Sequence, residues 1–111
     1  MVNEIKKYDN NNNLIYYKEN SGIEYWYKYD GNGNIIHYKD SEGYEVWYKY
    51  DGNNNIIHFK SSSGYEIWYK FEENKRIEIT KKEFNYIKRK KEEKEYLNRD
   101  KYSRFEILDI R

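Results

Sequence analysis

The sequence predicts a mainly β chain, an antiparallel meander of tandem 21-residue β-hairpin repeats followed by a C-terminal helix. Three observations carry that expectation. Residues 8–28, 29–49 and 50–70 are near copies joined without an insertion, and a fixed period makes one supersecondary unit the building block. Each copy holds two short runs of β-branched and aromatic residues separated by turn chemistry, the signature of paired strands. Past residue 80 glycine disappears and Lys and Glu dominate, a composition that suits a helix.

In the middle unit the first strand is Ile35-Ile36-His37-Tyr38 and the second runs from Tyr44 to Tyr50. Asp40-Ser41-Glu42-Gly43 separates them, with Gly43 placed to take a positive φ as Gly22 and Gly64 do in the other units. The second reversal is Asp30-Gly31-Asn32-Gly33, which becomes Asp51-Gly52-Asn53-Asn54 one unit later. Neither reversal is long enough for a crossover helix, so neighbouring strands must be antiparallel. Carried along the chain, the pattern predicts eight strands near residues 2–8, 14–19, 23–29, 34–40, 44–50, 55–60, 65–71 and 75–80. Alternation puts Tyr44, Val46, Tyr48 and Tyr50 on one face and Glu45, Trp47 and Lys49 on the other. On the second face the aliphatic stem of Lys is expected to lie on the indole, with opposite charges paired across strands.

The spacing of Tyr29-Asp30, Gly33-Asn34-Ile35, Asp40, Gly43 and Tyr48-Lys49-Tyr50-Asp51 resembles the YD repeats of Rhs-type proteins over residues 8 to about 75. In that family many such hairpins coil into a hollow shell around a toxin domain. The resemblance implies tandem hairpins and carries over no catalytic residue. Three full units are too few to enclose a second domain, so only the hairpin architecture is expected to transfer.

Thr80 and Glu83 have capping-box spacing, and Lys81 to about Asn98 is free of Gly and Pro, which predicts one helix. Its apolar stripe is thin, Phe84 and Ile87 followed by Tyr96 and Leu97. The middle reads Lys88-Arg89-Lys90-Lys91-Glu92-Glu93-Lys94-Glu95. Four-residue spacing pairs Arg89 with Glu93 and Lys91 with Glu95, giving a solvated, self-paired face. The alternative is that Lys88, Arg89, Lys90, Lys91 and Lys94 meet a nucleic-acid backbone or an acidic partner, with residues 81–104 as the contact region. Ser103 and Glu106 repeat the cap spacing, and Phe105, Ile107, Leu108 and Ile110 are expected to pack on the sheet or on a second subunit. Residues 1–80 and 81–111 are thus expected to form one domain, a sheet and its basic helical companion.

Composition narrows the function. The 111 residues include no Cys, which excludes disulfides, thiolate zinc sites and a cysteine nucleophile. No apolar run reaches the roughly 20 residues that span a bilayer, and the N-terminus lacks a signal peptide's apolar segment. The expectation is a soluble chain in the cytoplasm of a bacterial host, with no membrane partner. Lys, Tyr, Asn and Ile supply 58 of the 111 residues, and their AT-rich codons point to an AT-rich genome or to a phage or mobile element living in one. The net charge of +1 divides into −3 over residues 1–80 and +4 over residues 81–111.

Candidate chemistry is thin. His37 and His58 occupy equivalent positions, with Tyr16 in the first unit. With one strand between them they stand about 10 Å apart, too far to share a metal ion, so no metal and no cofactor is expected. Glu24, Glu45 and Glu66 form one series and Lys28, Lys49 and Lys70 another. Identical copies do not supply the unlike environments that acid and base roles require, and Gly31-Asn32-Gly33 lacks the helix start of a phosphate loop. The chain is expected not to be an enzyme.

Surface remains. Trp26, Trp47 and Trp68 recur at one position with Tyr48 and Tyr69 beside them. Such aromatics pack within sheets, and the exposed remainder offers contact area with few rotatable bonds. The first expectation is a non-enzymatic interaction protein that covers a surface of a protein or protein–nucleic acid complex, of the kind used by phage inhibitors of bacterial defence, including anti-CRISPR proteins. A second is direct binding of DNA or RNA through the basic helix and sheet aromatics. A third, resting only on the YD resemblance, is an immunity or chaperone partner of a repeat-containing toxin. Self-association through a sheet edge or the aromatic face stands beside all three.

Overall fold

The computed structural model describes the backbone of residues 3–110 and the side chains of residues 3–96. The chain divides into two compact units, residues 1–78 and residues 79–111. The first holds a mainly β, eight-stranded antiparallel sheet in which every strand pairs with its neighbours in sequence. Its strands are β1 (Ile5–Tyr8), β2 (Leu14–Lys18), β3 (Glu24–Tyr29), β4 (Ile35–Asp40), β5 (Glu45–Tyr50), β6 (Ile56–Ser61), β7 (Glu66–Glu72) and β8 (Lys75–Ile79). One helix, α1 (Lys81–Ile110), follows.

Two turn types alternate because two kinds of residue do. In the first, Asp30 Oδ1 accepts the backbone N–H groups of Asn32 and Asn34 at 2.9 Å each, while Asn34 Nδ2 donates to Asp30 Oδ2. Asp9 and Asp51 do the same for their loops. This arrangement needs a left-handed residue three places after Asp, supplied by Asn12 (φ 65°), Gly33 (φ 83°) and Asn54 (φ 66°), residue types that tolerate it. In the second type Gly43 takes φ 94°. The last reversal uses Glu73 and Asn74, both at positive φ, as a two-residue hairpin loop does.

Each unit is fastened to the next. A register shift falls at Lys7/Tyr8, Lys28/Tyr29 and Lys49/Tyr50, once per repeat, and a bulge of this kind adds twist. Just there the Tyr29 hydroxyl donates to the Leu14 carbonyl at 2.8 Å and that of Tyr50 to the Ile35 carbonyl at 2.7 Å. Phe71 holds the next equivalent position and has no hydroxyl. At the other strand ends, Ser41 and Ser62 each exchange two hydrogen bonds with the main chain of Glu24 and Glu45, through Oγ and N–H.

The register sorts the side chains into two faces. Tyr27, Tyr38, Val46 and Ser61 are successive partners across one, as are Tyr48, Phe59 and Ile67. Rings there meet edge to face, Tyr27 with Tyr38 and Tyr48 with Phe59, both at 5.4 Å. Burial pushes the phenols of Tyr27 and Tyr48 up. Among the described residues only Val46, Ser61 and Ile79 are buried, so cross-strand ladders hold this sheet in place of a thick core.

In the second unit Thr80 caps α1, its Oγ1 accepting the Glu83 N–H at 3.1 Å. The helix runs on to Ile110 instead of ending near Asn98, and passes through Ser103 and Glu106 without a second start. Nothing between residues 98 and 103 breaks it, since neither Gly nor Pro occurs there. The expected ion pairs of Arg89 with Glu93 and Lys91 with Glu95 do not form. Lys90 meets Glu93 at 3.5 Å, and Arg89 and Lys90 lie 5.9 and 5.7 Å from the centre of the Tyr86 ring. An exposed ring one turn back competes for the cation. The side chains of Phe105, Ile107, Leu108 and Ile110, whose packing the sequence raised, lie outside the described residues.

Candidate functional site

The second face of the sheet collects the chain's recurring polar and aromatic residues. Cross-strand partners there follow one order. Lys28 on β3 faces His37 on β4, which faces Trp47 on β5, then Lys60 on β6 and Glu66 on β7. One unit earlier the same order reads Lys7, Tyr16, Trp26, Lys39 and Glu45. One unit later it begins Lys49, His58, Trp68. A five-strand order repeated every two strands makes the rows overlap, so each is displaced two residues along the strands from the last.

The three tryptophans consequently share a face but lie on a diagonal. Trp26 is level with Glu45, two residues short of Trp47, and Trp47 is level with Glu66, two residues short of Trp68. From strand spacing of about 4.8 Å and a rise of about 3.4 Å per residue, successive indoles stand roughly 12 Å apart. Trp26 and Trp47 are 36% and 37% exposed, while Trp68 is half-buried.

Each indole is held from one side by a ring that is itself held. His37 Nε2 lies 2.6 Å from Glu45 Oε2 and its ring centre 5.6 Å from that of Trp47. His58, Glu66 and Trp68 repeat this at 2.7 and 5.4 Å. In the first unit the Tyr16 hydroxyl donates to Glu24, and its ring lies 5.8 Å from Trp26; the bond to that carboxylate raises the phenol's pKa. The glutamates are therefore bonded to the histidines and the tyrosine, and the expected pairing of Glu45 with Lys across the strands does not form. Imidazole and phenol reach the carboxylate with a rigid ring, whereas a lysine must order four torsions.

On the other side Trp26 and Trp47 each face a lysine. Lys39 is the partner of Trp26 and Lys60 of Trp47, with Lys60 Nζ 6.0 Å from the indole centre; the lysine beside Trp47 thus comes from the neighbouring strand, while Lys49 of its own strand faces His58. Lys28, Lys39, Lys49 and Lys60 are exposed. None of the four forms an ion pair among the described residues. A shallow depression of ≈ 510 Å3 on this face is lined by Ile15, Trp26, Tyr27, Lys28, His37 and Lys39.

The candidate residues are divided between the two faces of the sheet and the helical unit. Trp26, Trp47 and Trp68 are together on this face. Tyr48 and Tyr69 point to the opposite one, Tyr48 against Phe59 and Tyr69 under the Arg76 guanidinium at 4.7 Å. Lys88, Arg89, Lys90, Lys91 and Lys94 belong to the helical unit, where all five are exposed. Sequence reasoning overlooked Lys39 and Lys60 as companions of the indoles. Their signal was present, since each lies two residues after a histidine on the strand that follows a Trp strand. Among the described residues no helix is long and apolar enough to cross a membrane. Compared with known proteins, the chain matches no protein-family model and no curated protein.

Proposed function

We propose that this chain is a non-enzymatic interaction protein whose contact surface is the Trp/Lys face of its repeat sheet, and that it acts by covering part of a protein or nucleoprotein partner. The observation that carries this reading is the exposure of Trp26 and Trp47, 36% and 37%, beside lysines that form no ion pair among the described residues. Large rings with ordered neighbours are efficient contact residues. The His–Glu bonds support the non-enzymatic part. The same bond recurs in each unit and accepts Tyr for His in one of them, which suits a scaffold requirement better than a reaction needing unlike groups. The hairpin scaffold is of the YD-repeat kind. The partner class we favour is an RNA-guided defence nuclease in the cytoplasm of a bacterial host, with this chain as a phage or mobile-element inhibitor. The exposed cations Lys88 to Lys91 and Lys94 of the helical unit offer further contact residues.

Titrating the protein into such a nuclease reaction tests this. Cleavage should fall in proportion to the protein added and end near one equivalent. A Trp26→Ala/Trp47→Ala variant should lose most of that inhibition. Inactivation of many nuclease molecules by one molecule of protein would mean turnover and overturn the reading.

A further inference from the structure

We infer that the diagonal of Trp26, Trp47 and Trp68, with Lys28, Lys39, Lys49 and Lys60 between and beside them, is a track for single-stranded nucleic acid. This deepens the proposal that the Trp/Lys face is the contact surface, and it rests on that proposal. Charge is the first reason. The three glutamates of this face are hydrogen-bonded to His37, His58 and Tyr16 and are outnumbered by Lys28, Lys39, Lys49 and Lys60, none of which forms an ion pair among the described residues. The −3 of residues 1–80 is carried largely elsewhere: Asp9, Asp30 and Asp51 turn into their own loops and accept backbone N–H groups. The face thus presents cations to a ligand although the unit as a whole is acidic, and phosphates are the complementary groups.

Spacing is the second reason. A step of roughly 12 Å between indoles is more than three times the rise of about 3.4 Å between stacked nucleotides of a duplex strand. Bases seated on successive tryptophans must be unstacked from each other, which a stretched single strand allows and a duplex does not. Ordering is the third. Each indole already lies against an anchored imidazole or phenol, so stacking a base on it costs little further side-chain entropy. Lys39 and Lys60, opposite Trp26 and Trp47, are placed for the phosphates that link one stacked base to the next. Base stacking on aromatic rings beside a cationic backbone track is how proteins hold single strands without reading sequence.

Oligothymidylates and oligouridylates of increasing length, read by quenching of tryptophan fluorescence, test the track. Quenching should appear, with affinity rising with length until all three indoles are covered and then levelling. Affinity should fall with salt at a slope near −3 if about four phosphates are neutralised. Trp47→Ala should weaken binding about 5- to 150-fold. Lys39→Ser/Lys60→Ser, which removes exposed groups and leaves ring packing intact, should roughly halve the salt slope while the circular dichroism of the sheet is unchanged. A duplex of equal length, or poly-glutamate of equal charge, binding as tightly as the single strand would overturn the proposal, the latter in favour of an acidic protein. So would loss of binding in Lys88→Gln/Arg89→Gln/Lys90→Gln/Lys91→Gln with full binding in the lysine pair variant. If oligonucleotides fail to bind while nuclease inhibition still depends on Trp26 and Trp47, the nucleic-acid track falls and the contact face stands. If inhibition survives Trp26→Ala/Trp47→Ala, the face itself falls.

Discussion

The two faces of this sheet are built from adjacent residues of the same strands, yet they solve different problems. On one, rings meet rings: Tyr48 abuts Phe59, Tyr27 abuts Tyr38, and Val46 between Tyr38 and Ser61 is 3% exposed. On the other, each indole lies against an anchored imidazole or phenol, and Trp26 and Trp47 have a lysine on the opposite side. Aromatic area that closes on itself stabilises the sheet. Aromatic area broken by hydrated cations stays partly open without presenting the broad apolar patch that would drive aggregation.

The comparison breaks most sharply at consecutive residues of β5. Val46→Asp would place a carboxylate where nothing can solvate or pair it, and should cost about 4 kcal/mol or more, read as a collapse of the urea midpoint. Trp47→Ala, one residue on, should cost only about 1–2 kcal/mol, from a lost ring contact and a modest area of indole, while weakening the proposed partner contact. Equal destabilisation by the two would mean that both faces are core. A smaller effect separates the links between units. Tyr50→Phe removes the donor to the Ile35 carbonyl and should cost about 1 kcal/mol. Introducing the hydroxyl with Phe71→Tyr should be neutral or stabilising by less than about 1 kcal/mol, and both are measured by chemical denaturation.

The smallest effect is one of pH. The loop carboxylates of Asp9 and Asp30 are held below the usual value of 3.8, chiefly by the backbone N–H groups of Asn13 and Asn34. As pH falls below that value the unfolded chain takes up these protons before the folded one does. The stability they supply is present above about pH 4 and is lost as pH falls through their folded pKa values. Acid titration followed by circular dichroism should therefore show a shallower loss for Asp9→Asn/Asp30→Asn than for the parent. An identical acid limb would remove these loops from the account.

Much of this was legible in the chain. A 21-residue period, a Gly or Asn in each short loop and strand-length runs of β-branched and aromatic residues determine a meander, because local turn geometry and alternation act over a few residues. The assignment of Trp47 and Tyr48 to opposite faces followed from the same alternation. The length of α1 did not, because Ser103 and Glu106 have the spacing of a helix start in a stretch where nothing stops the previous helix. The Tyr29 and Tyr50 bonds to carbonyls fifteen residues earlier were also hidden. They join residues that the bulges bring together, and a bulge leaves little trace in composition.

By itself, then, the sequence determined the unit, its repetition and the alternation of its side chains, since each depends on neighbours within one hairpin. Only the tertiary structure decided which lysine stands beside which tryptophan, that the glutamates pair with histidine and tyrosine instead of lysine, and that successive indoles lie on a diagonal. Those facts depend on the register between strands of different units. Register is fixed by bulges and cross-unit hydrogen bonds acting together, and a shift of two residues would preserve every local pattern while moving each cation to a different ring.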